Sequence, residues 1–325
     1  MRTLLSAGLA AVLAAGAFAA EPLQIAVIPK GTSHEYWKSV QAGAIKAERE
    51  LTAAGIAVHV IWKGPLKEDD REQQVQVVEN FIGRRVSAIV ISPLDSKALI
   101  APLSVAVQSK IPVITIDSGL ESSLPSCYVA TDNREGGRVA ARTLAGLVGP
   151  TGRVIMLRNV TGSSNTEERE EGFLEVMKRD FPGIRLVSTD QHGGVTRENA
   201  YRTGQNLLNR FGRGVDGVFA CNQPTTAGML LALRDAGLAG GKVKFVGFDT
   251  GAVELAALKA GDTSALMVQD PFGMGYLGVK NAVAVLRGEK VPKVVDTGVT
   301  VVTRANLADP AVNALVNPPL DQYLK

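Results

Sequence analysis

Between residues 24 and 288 the chain alternates short runs that are almost wholly apolar with longer stretches whose apolar positions recur three or four residues apart. The short runs (24–28, 58–62, 88–92, 113–116 and 127–130) are rich in Val and Ile, the signature of strands buried on both faces. Between them lie helical periodicities at 34–54, 68–83 and 96–109. A succession of βα units predicts a parallel, doubly wound α/β sheet. Pro112 precedes a predicted strand, where its missing N–H costs nothing.

The pattern breaks in a Ser/Gly/Pro-rich stretch at 119–126 and then restarts. Helices are expected at 134–148, 167–179, 196–211, 225–236, 253–260 and 273–286. Strands are expected at 153–157, 184–189, 217–220, 244–248 and 265–269. Two similar halves result, without a detectable sequence repeat. The chain ends in β-prone runs at 294–303 and a Pro-rich tail at 309–325.

Residues 1–20, MRTLLSAGLAAVLAAGAFAA, carry one early charge, an apolar centre and small residues at Ala17 and Ala19. They read as a secretory signal peptide cut after Ala19 or Ala20, too short an apolar run for a bilayer span. No Cys stands at the cleavage region, so a free periplasmic or secreted protein is expected rather than a lipoprotein.

The remaining length fits two domains. Net charge is +3, or +2 without Arg2 (34 basic against 32 acidic residues), with the signs interspersed. No basic stripe points to nucleic acid, and no charged tail points to a membrane surface. Cys127 and Cys221 fall in separate predicted strands and read as small buried apolar residues rather than a disulfide. Three His and no paired His/Cys spacing exclude an obvious transition-metal site.

Ligands of open α/β sheets lie beyond the carboxyl ends of the strands. The first such loop, PKGTSHEYW at 29–37, is bulky and polar where a nucleotide site would be glycine-rich. It carries Lys30, His34 and two of the chain's few large rings, Tyr36 and Trp37. The other strand ends supply Ser92, Asp117, Asn222, Gln223, Asp249, Gln269 and Asp270. Carboxylates and amides match vicinal hydroxyls, and rings pack on the C–H face of a sugar. Gly212-Arg213-Gly214-Val215-Asp216-Gly217 matches G-x-G-x-x-G by letter but precedes a strand, so it reads as a loop. Asp132 reads as an N-cap with Glu135 closing a capping box. Glu167, Glu168 and Glu170 sit in the first turns of a helix, where the macrodipole favours acids.

In order and spacing, the segments IAVIPKGTSHEYWKSVQAGA, SAIVISPLDSKAL, IPVITIDSG, YVATDNREGGRVAA, GSSNTEEREEGF, FACNQPTTAGMLLAL, VKFVGFDTG and ALMVQDPFGMG together resemble the periplasmic sugar-binding proteins of ABC transporters, of the ribose-, galactose- and allose-binding type. The resemblance covers nearly the whole mature chain. It implies two Rossmann-like lobes, the first 21–131 plus 270–298 and the second 132–269 plus 299–325, joined by hinge strands near Thr131, Gln269 and Gly298 and closing on a sugar. It also implies the ligand set Lys30, His34, Tyr36, Trp37, Ser92, Asp117, Ser118, Glu167, Asn222, Asp249 and Gln269. Two arginine positions of the family pattern are Ser118 and Glu167 here, and an expected aromatic is Val195, so ribose itself is not implied. Pro29-Lys30 and Pro224 also resemble the binding protein for the furanosyl signal autoinducer-2, which keeps a furanose, a polyol or an amino-bearing sugar open as ligand.

The implied partners are a small sugar or polyol, the membrane subunits of an ABC permease and, as an open alternative, a chemoreceptor. The protein is expected to be a monomer without cofactor, metal or catalysis. A repressor's sugar-sensing domain would carry a helix-turn-helix where this chain has its leader. A secreted α/β enzyme would need an activated nucleophile, a metal or a cofactor fingerprint.

Overall fold

The computed structural model of the chain describes residues 21–324, the side chain of Arg213 excepted; the expected signal peptide lies outside the described residues. The first half runs β1 (Leu23–Ile28), α1 (Glu35–Ala53), β2 (Val58–Trp62), α2 (Arg71–Gly83), β3 (Ala88–Ile91), α3 (Ile100–Gln108), β4 (Val113–Ile116) and β5 (Cys127–Ala130). The second runs α4 (Asn133–Val148), β6 (Arg153–Arg158), α5 (Ser164–Asp180), β7 (Arg185–His192), α6 (Arg197–Phe211), β8 (Gly217–Ala220), α7 (Gln223–Asp235), β9 (Lys244–Phe248), α8 (Ala252–Ala260) and β10 (Ala265–Val268). The chain closes with α9 (Pro271–Leu286), β11 (Val294–Asp296), β12 (Thr300–Val302) and α10 (Pro310–Val316).

Two six-stranded sheets form, ordered β11-β5-β4-β3-β1-β2 and β12-β10-β9-β8-β6-β7. Their pairings are parallel, except that β12 runs antiparallel to β10. Each sheet is covered on both faces, as its unbroken apolar strands require. In the first lobe α1 and α9 cover one face and α2 and α3 the other. In the second, α4 and α5 lie opposite α6 and α7.

The chain passes between the sheets after β5, after β10 and between β11 and β12. Thr131 Oγ1 donates to the Gly298 carbonyl at 2.9 Å and Asp132 N to Asp296 Oδ1 at 3.0 Å, tying two of these crossings together. The tail departs from the expected assignment of 299–325 to the second lobe. Val312 and Val316 of α10 do pack on that lobe's Leu258, Leu266 and Val302. The last turn, however, returns to the first lobe, where Arg49 donates to the Gln322 carbonyl at 2.6 Å and Tyr323 packs on Phe272.

Several helix starts are set by local hydrogen bonds that periodicity does not report. Asp70 caps α2 by accepting from Gln73 N, so the helix begins after Glu68. Asp95 ties Lys97 N and Ala98 N into a turn, which delays α3 to Ile100. Asp132 caps α4 as expected, but Glu135 turns to Arg138 and Arg142 and closes no capping box. Cys127 and Cys221 are buried and free, and burial pushes the Cys127 thiol up to about 11.

Both lobes use the same device to bring two helices together. A Cβ on Gly43 of α1 would lie 1.9 Å from the Phe272 carbonyl oxygen, and one on Gly275 of α9 would lie 1.9 Å from that of Val40. In the second lobe a Cβ on Gly137 of α4 would lie 1.9 Å from the Arg169 carbonyl oxygen, and one on Gly172 of α5 would lie 2.0 Å from that of Arg134. The partner in each contact is backbone, which cannot swing aside. Gly275→Val is therefore expected to destabilise the protein by about 3 kcal/mol through overpacking, measured by urea unfolding. Gly137→Val should do the same and also displace Arg169, whose own carbonyl it strikes.

Candidate functional site

The carboxyl ends of the two sheets face one another, and their side chains enclose a small cavity between the lobes. Its walls come from strand ends and helix starts: Lys30 after β1, Tyr36 and Trp37 on α1, Asp117 after β4, Asn159 after β6, Asn222 after β8, Asp249 after β9 and Gln269 after β10. The lobes are closed on each other, leaving about 30 Å³ at the centre, enough for about two waters.

Asp117 and Asp249 occupy equivalent places. Each follows an inner strand and bonds through its N–H to the neighbouring strand, Asp117 to Val129 O and Asp249 to Met267 O. Each has a positive φ, 61° and 67°, a conformation that Asp tolerates better than most residues and that concentrates at functional sites. The turn aims both carboxylates into the space between the sheets.

Asp117 is 3% exposed and is heavily bonded. Tyr36 OH donates to Oδ1 at 2.8 Å, Ser92 Oγ to Oδ2 at 2.8 Å, and Asn165 Nδ2 to both oxygens at 3.2 Å. Lys30 Nζ lies 3.6 Å from Oδ2 and donates to Ser163 Oγ and Asn165 Oδ1, each at 2.9 Å. Burial holds the Lys30 ammonium below its ordinary pKa, although Asp117 opposes the shift. Burial, reinforced by Asp117, drives the Tyr36 phenol well above its ordinary range.

Asp249 meets Arg169, whose Nη1 lies 4.0 Å from Oδ2, and accepts from Gln269 Nε2 at 2.7 Å. Burial still pushes its carboxyl up to about 6, Arg169 and Gln269 opposing. Arg169 is 1% exposed, lies over the Phe248 ring, and donates to Asn133 Oδ1 and to the Cys221 carbonyl. Its Nη2 has no partner, and neither do Asn159 Oδ1, Gln223 Oε1, Gln269 Oε1 and Asn133 Nδ2. Buried polar atoms are rarely left unpaired, so this concentration of free donors and acceptors marks a surface suited to a polar ligand. All five belong to the second-lobe side of the cavity or its hinge.

Tyr36 and Trp37 meet edge to face, with ring centroids 5.1 Å apart, and Trp37 Nε1 donates to Glu68 Oε1 at 2.6 Å. Asn222 both caps α7, in a capping box with Thr225, and lines the cavity. One flank is held by direct bonds between lobes: Ser118 Oγ to Ser164 Oγ at 3.0 Å, Gly119 N to Ser164 Oγ at 2.9 Å, and Arg71 Nη2 to the Thr161 carbonyl at 3.0 Å.

Of the residues expected at the site, Lys30, Tyr36, Trp37, Asp117, Asn222, Asp249 and Gln269 line the cavity. Ser92 supports Asp117 from behind, and Ser118 belongs to the flank contact. His34 sits outside the cavity wall, 3.8 Å from Glu68. Glu167 does not reach it either: its carboxylate accepts from Gly162 N at 2.8 Å and closes the turn before α5. Two residues on, Arg169 enters the cavity, supplying a guanidinium from the same segment in which Glu167 takes the place of the family's opening arginine. The cavity also holds Glu68, Asn159, Asn165, Thr166, Arg169 and Pro224, none of them among the ligand residues expected from the sequence. Asn159 is accessible to the strand-end rule, whereas Arg169, more than a turn into α5, carries no local signal.

Among the described residues no cluster of His, Cys, Asp and Glu is arranged to hold a metal, and no helix is long and apolar enough to cross a membrane. Comparison with known proteins agrees with the geometry. Residues 25–290 match the periplasmic binding protein domain family. The ribose import binding protein of Salmonella typhimurium is 33% identical over 293 residues, spanning 90% of this chain and 94% of its own. A carbohydrate transporter solute binding protein from Agrobacterium radiobacter, solved with D-arabinose, is 37% identical with a TM-score of 0.86, covering 92% of this chain and 100% of that one. An ABC transporter solute binding protein from Agrobacterium vitis, solved with D-fucose, is 32% identical with a TM-score of 0.85, covering 90% of this chain and 100% of that one. With two facing doubly wound lobes, a polar cavity between them and a family match over most of its length, the chain belongs to the periplasmic binding protein domain family.

Proposed function

We propose that the protein captures a small polyhydroxylated ligand, a sugar or polyol, between its lobes in the periplasm and delivers it to an ABC importer. The observation that carries this reading is the cavity's composition: two aromatic rings on the first lobe facing carboxylates, amides and a guanidinium with unpaired hydrogen-bonding atoms. Rings cover the C–H face of a sugar, while Asp, Asn, Gln and Arg pair with its hydroxyls. Lys30, Tyr36, Trp37, Asp117, Asn222, Asp249 and Gln269 are the proposed ligand contacts, joined by Arg169 and Asn159. The relatives support a sugar or polyol, since they include ribose and D-allose binders and a binder of the polyol xylitol.

No chemistry is assigned to the cavity. Its charged groups are paired with each other, and ligand would act by favouring the closed arrangement over an open one. Cleavage of 1–20 and export to the periplasm belong to the same reading, as does movement about the crossings near Thr131, Gln269 and Gly298. The division into lobes at those points is part of the proposal, the last turn of the tail excepted.

Thermal unfolding of refolded, ligand-free protein against pentoses, hexoses, polyols and autoinducer-2 tests it. A true ligand at 100 times its dissociation constant should add about 2.7 kcal/mol; protection by none of them would overturn the reading. For the compound that protects, Trp37→Ala and Asp117→Asn should each weaken binding at least tenfold by calorimetry on the folded protein; both should also lower stability, because Trp37 is a core ring and Asp117 meets the buried Lys30.

Asp249 gives a pH signature. Its folded carboxyl, raised from 3.8 to about 6, binds a proton more tightly than the unfolded chain does. Its contribution to stability is therefore full below about pH 4 and is lost as pH rises to about 6, at about 1.4 kcal/mol for each pH unit crossed between those two values. Asp249→Asn, which keeps a residue tolerant of positive φ, should remove that dependence. Relative to the natural chain it should be more stabilising at pH 7.5 than at pH 4.5 in urea unfolding, and it should weaken ligand binding at pH 7.5.

A further inference from the structure

Glu68 takes no part in the ligand set proposed above, yet it lies in the cavity wall. Helical periodicity places the start of a helix at this residue, but Asp70 caps α2 and leaves Glu68 in the loop between β2 and α2. That loop is fastened to the one that carries Lys30 and the two rings. Thr32 Oγ1 donates to the Pro65 carbonyl at 3.3 Å, and Gln74 Nε2, from the first turn of α2, donates to the Pro29 carbonyl at 3.1 Å. Gly31 permits a close approach here, since a Cβ at that position would fall 2.9 Å from Glu68 Cγ.

The carboxylate ends at the indole. Trp37 Nε1 donates to Glu68 Oε1 at 2.6 Å, with Trp37 3% exposed and the Glu68 side chain 11% exposed. An indole has one donor, and here it goes to a charged acceptor, the stronger class of hydrogen bond. His34 Nε2 lies 3.8 Å from the same oxygen, too far to compete for it.

Both rings of the wall thus have their polar tips bonded to carboxylates, Tyr36 OH to Asp117 and Trp37 Nε1 to Glu68. The consequence differs between them. A half-turn of a phenol ring about its long axis presents the same surface. A half-turn of an indole exchanges the edge that meets the cavity, and that torsion is by itself broad and roughly two-fold. Packing against Tyr36, at 84° between the planes, limits the plane of the indole, which a half-turn preserves. The Nε1 bond favours one of the two orientations that share this plane.

We propose that Glu68 is a positioning residue of the ligand site, which holds Trp37 in one indole orientation and so sets the outline of the apolar wall against which a sugar or polyol is read. The consequence for ligand choice rests on the sugar reading above; the indole orientation does not. Exchanging the five-membered for the six-membered side of the ring would reshape that wall.

The first test needs no ligand. Trp62→Phe removes the chain's other tryptophan, which leaves the indole N–H resonance of Trp37 alone in mature protein made with isotope-labelled tryptophan. That signal should be shifted downfield and protected from solvent exchange. Glu68→Ala should abolish both effects, and Glu68→Gln, which keeps an acceptor, should retain the protection. A signal that Glu68→Ala leaves unmoved overturns the proposal. The second test is calorimetry with D-ribose, D-allose, D-arabinose, D-fucose and xylitol. For each compound that binds, Glu68→Ala should weaken binding about tenfold, the scale of one charge-assisted hydrogen bond, and Glu68→Gln should restore most of it. Glu68 also borders the cavity, so a double-mutant cycle separates positioning from direct contact. In Trp37→Phe, which lacks the donor, adding Glu68→Ala should cost nothing further. A comparable further loss there would mean that the carboxylate touches the ligand itself, and the positioning role would fall. If none of these compounds binds, the sugar reading fails separately, and the indole signal decides whether Glu68 orients Trp37.

Discussion

Charge that has been taken out of water has to find a partner, and this requirement organises the region between the lobes. Asp117 and Asp249 are nearly inaccessible, yet each ends an inner strand in a backbone conformation that turns its carboxylate toward the opposite sheet. An unpaired buried carboxylate is costly, so each must be met by donors or cations. Asp117 is met by Lys30, Tyr36, Ser92 and Asn165, and Asp249 by Arg169 and Gln269. Of these, Asn165 reaches Asp117 from the other lobe. Closure and charge pairing are therefore one event on the Asp117 side.

The two carboxylates are not satisfied alike. The first-lobe cluster is complete within the protein, whereas free donors and acceptors gather on Arg169, Asn159, Gln223 and Gln269. This asymmetry suits a ligand whose ring faces lie toward Tyr36 and Trp37 and whose hydroxyls point to the second lobe. It also explains why burial dominates at Asp249, with a single guanidinium at 4.0 Å and one amide to offset it. A site held in this strained electrostatic state gives up stability that a hydroxyl-bearing ligand can restore.

Rigid lobes are needed for such a site, and the glycine contacts provide them. Gly43 with Gly275, and Gly137 with Gly172, let helix backbones touch in both lobes. The second pair has a functional consequence because it seats the backbone of Arg169 against α4. The guanidinium is then aimed by packing rather than by its own hydrogen bonds alone, and Phe248 beneath it limits its swing.

Much of the architecture was legible in the chain itself. Uniformly apolar strands and the 3.6-residue helical period determined a parallel α/β fold in two halves, because burial on both faces of a sheet permits little else. The strand-end rule located Lys30, Asp117, Asn222, Asp249 and Gln269, since a residue's place after a strand is a local property. Contacts between segments far apart in sequence were decided only by tertiary structure. Arg169 lies on a helix, where every direction is equally available to a side chain until packing selects one. Glu167 was placed at the site by position, but a backbone N–H five residues away claimed its carboxylate. The return of Gln322 and Tyr323 to the first lobe depends on the folded tail meeting α1. Periodicity records which face of an element is buried, and it holds no information about which distant surface does the burying.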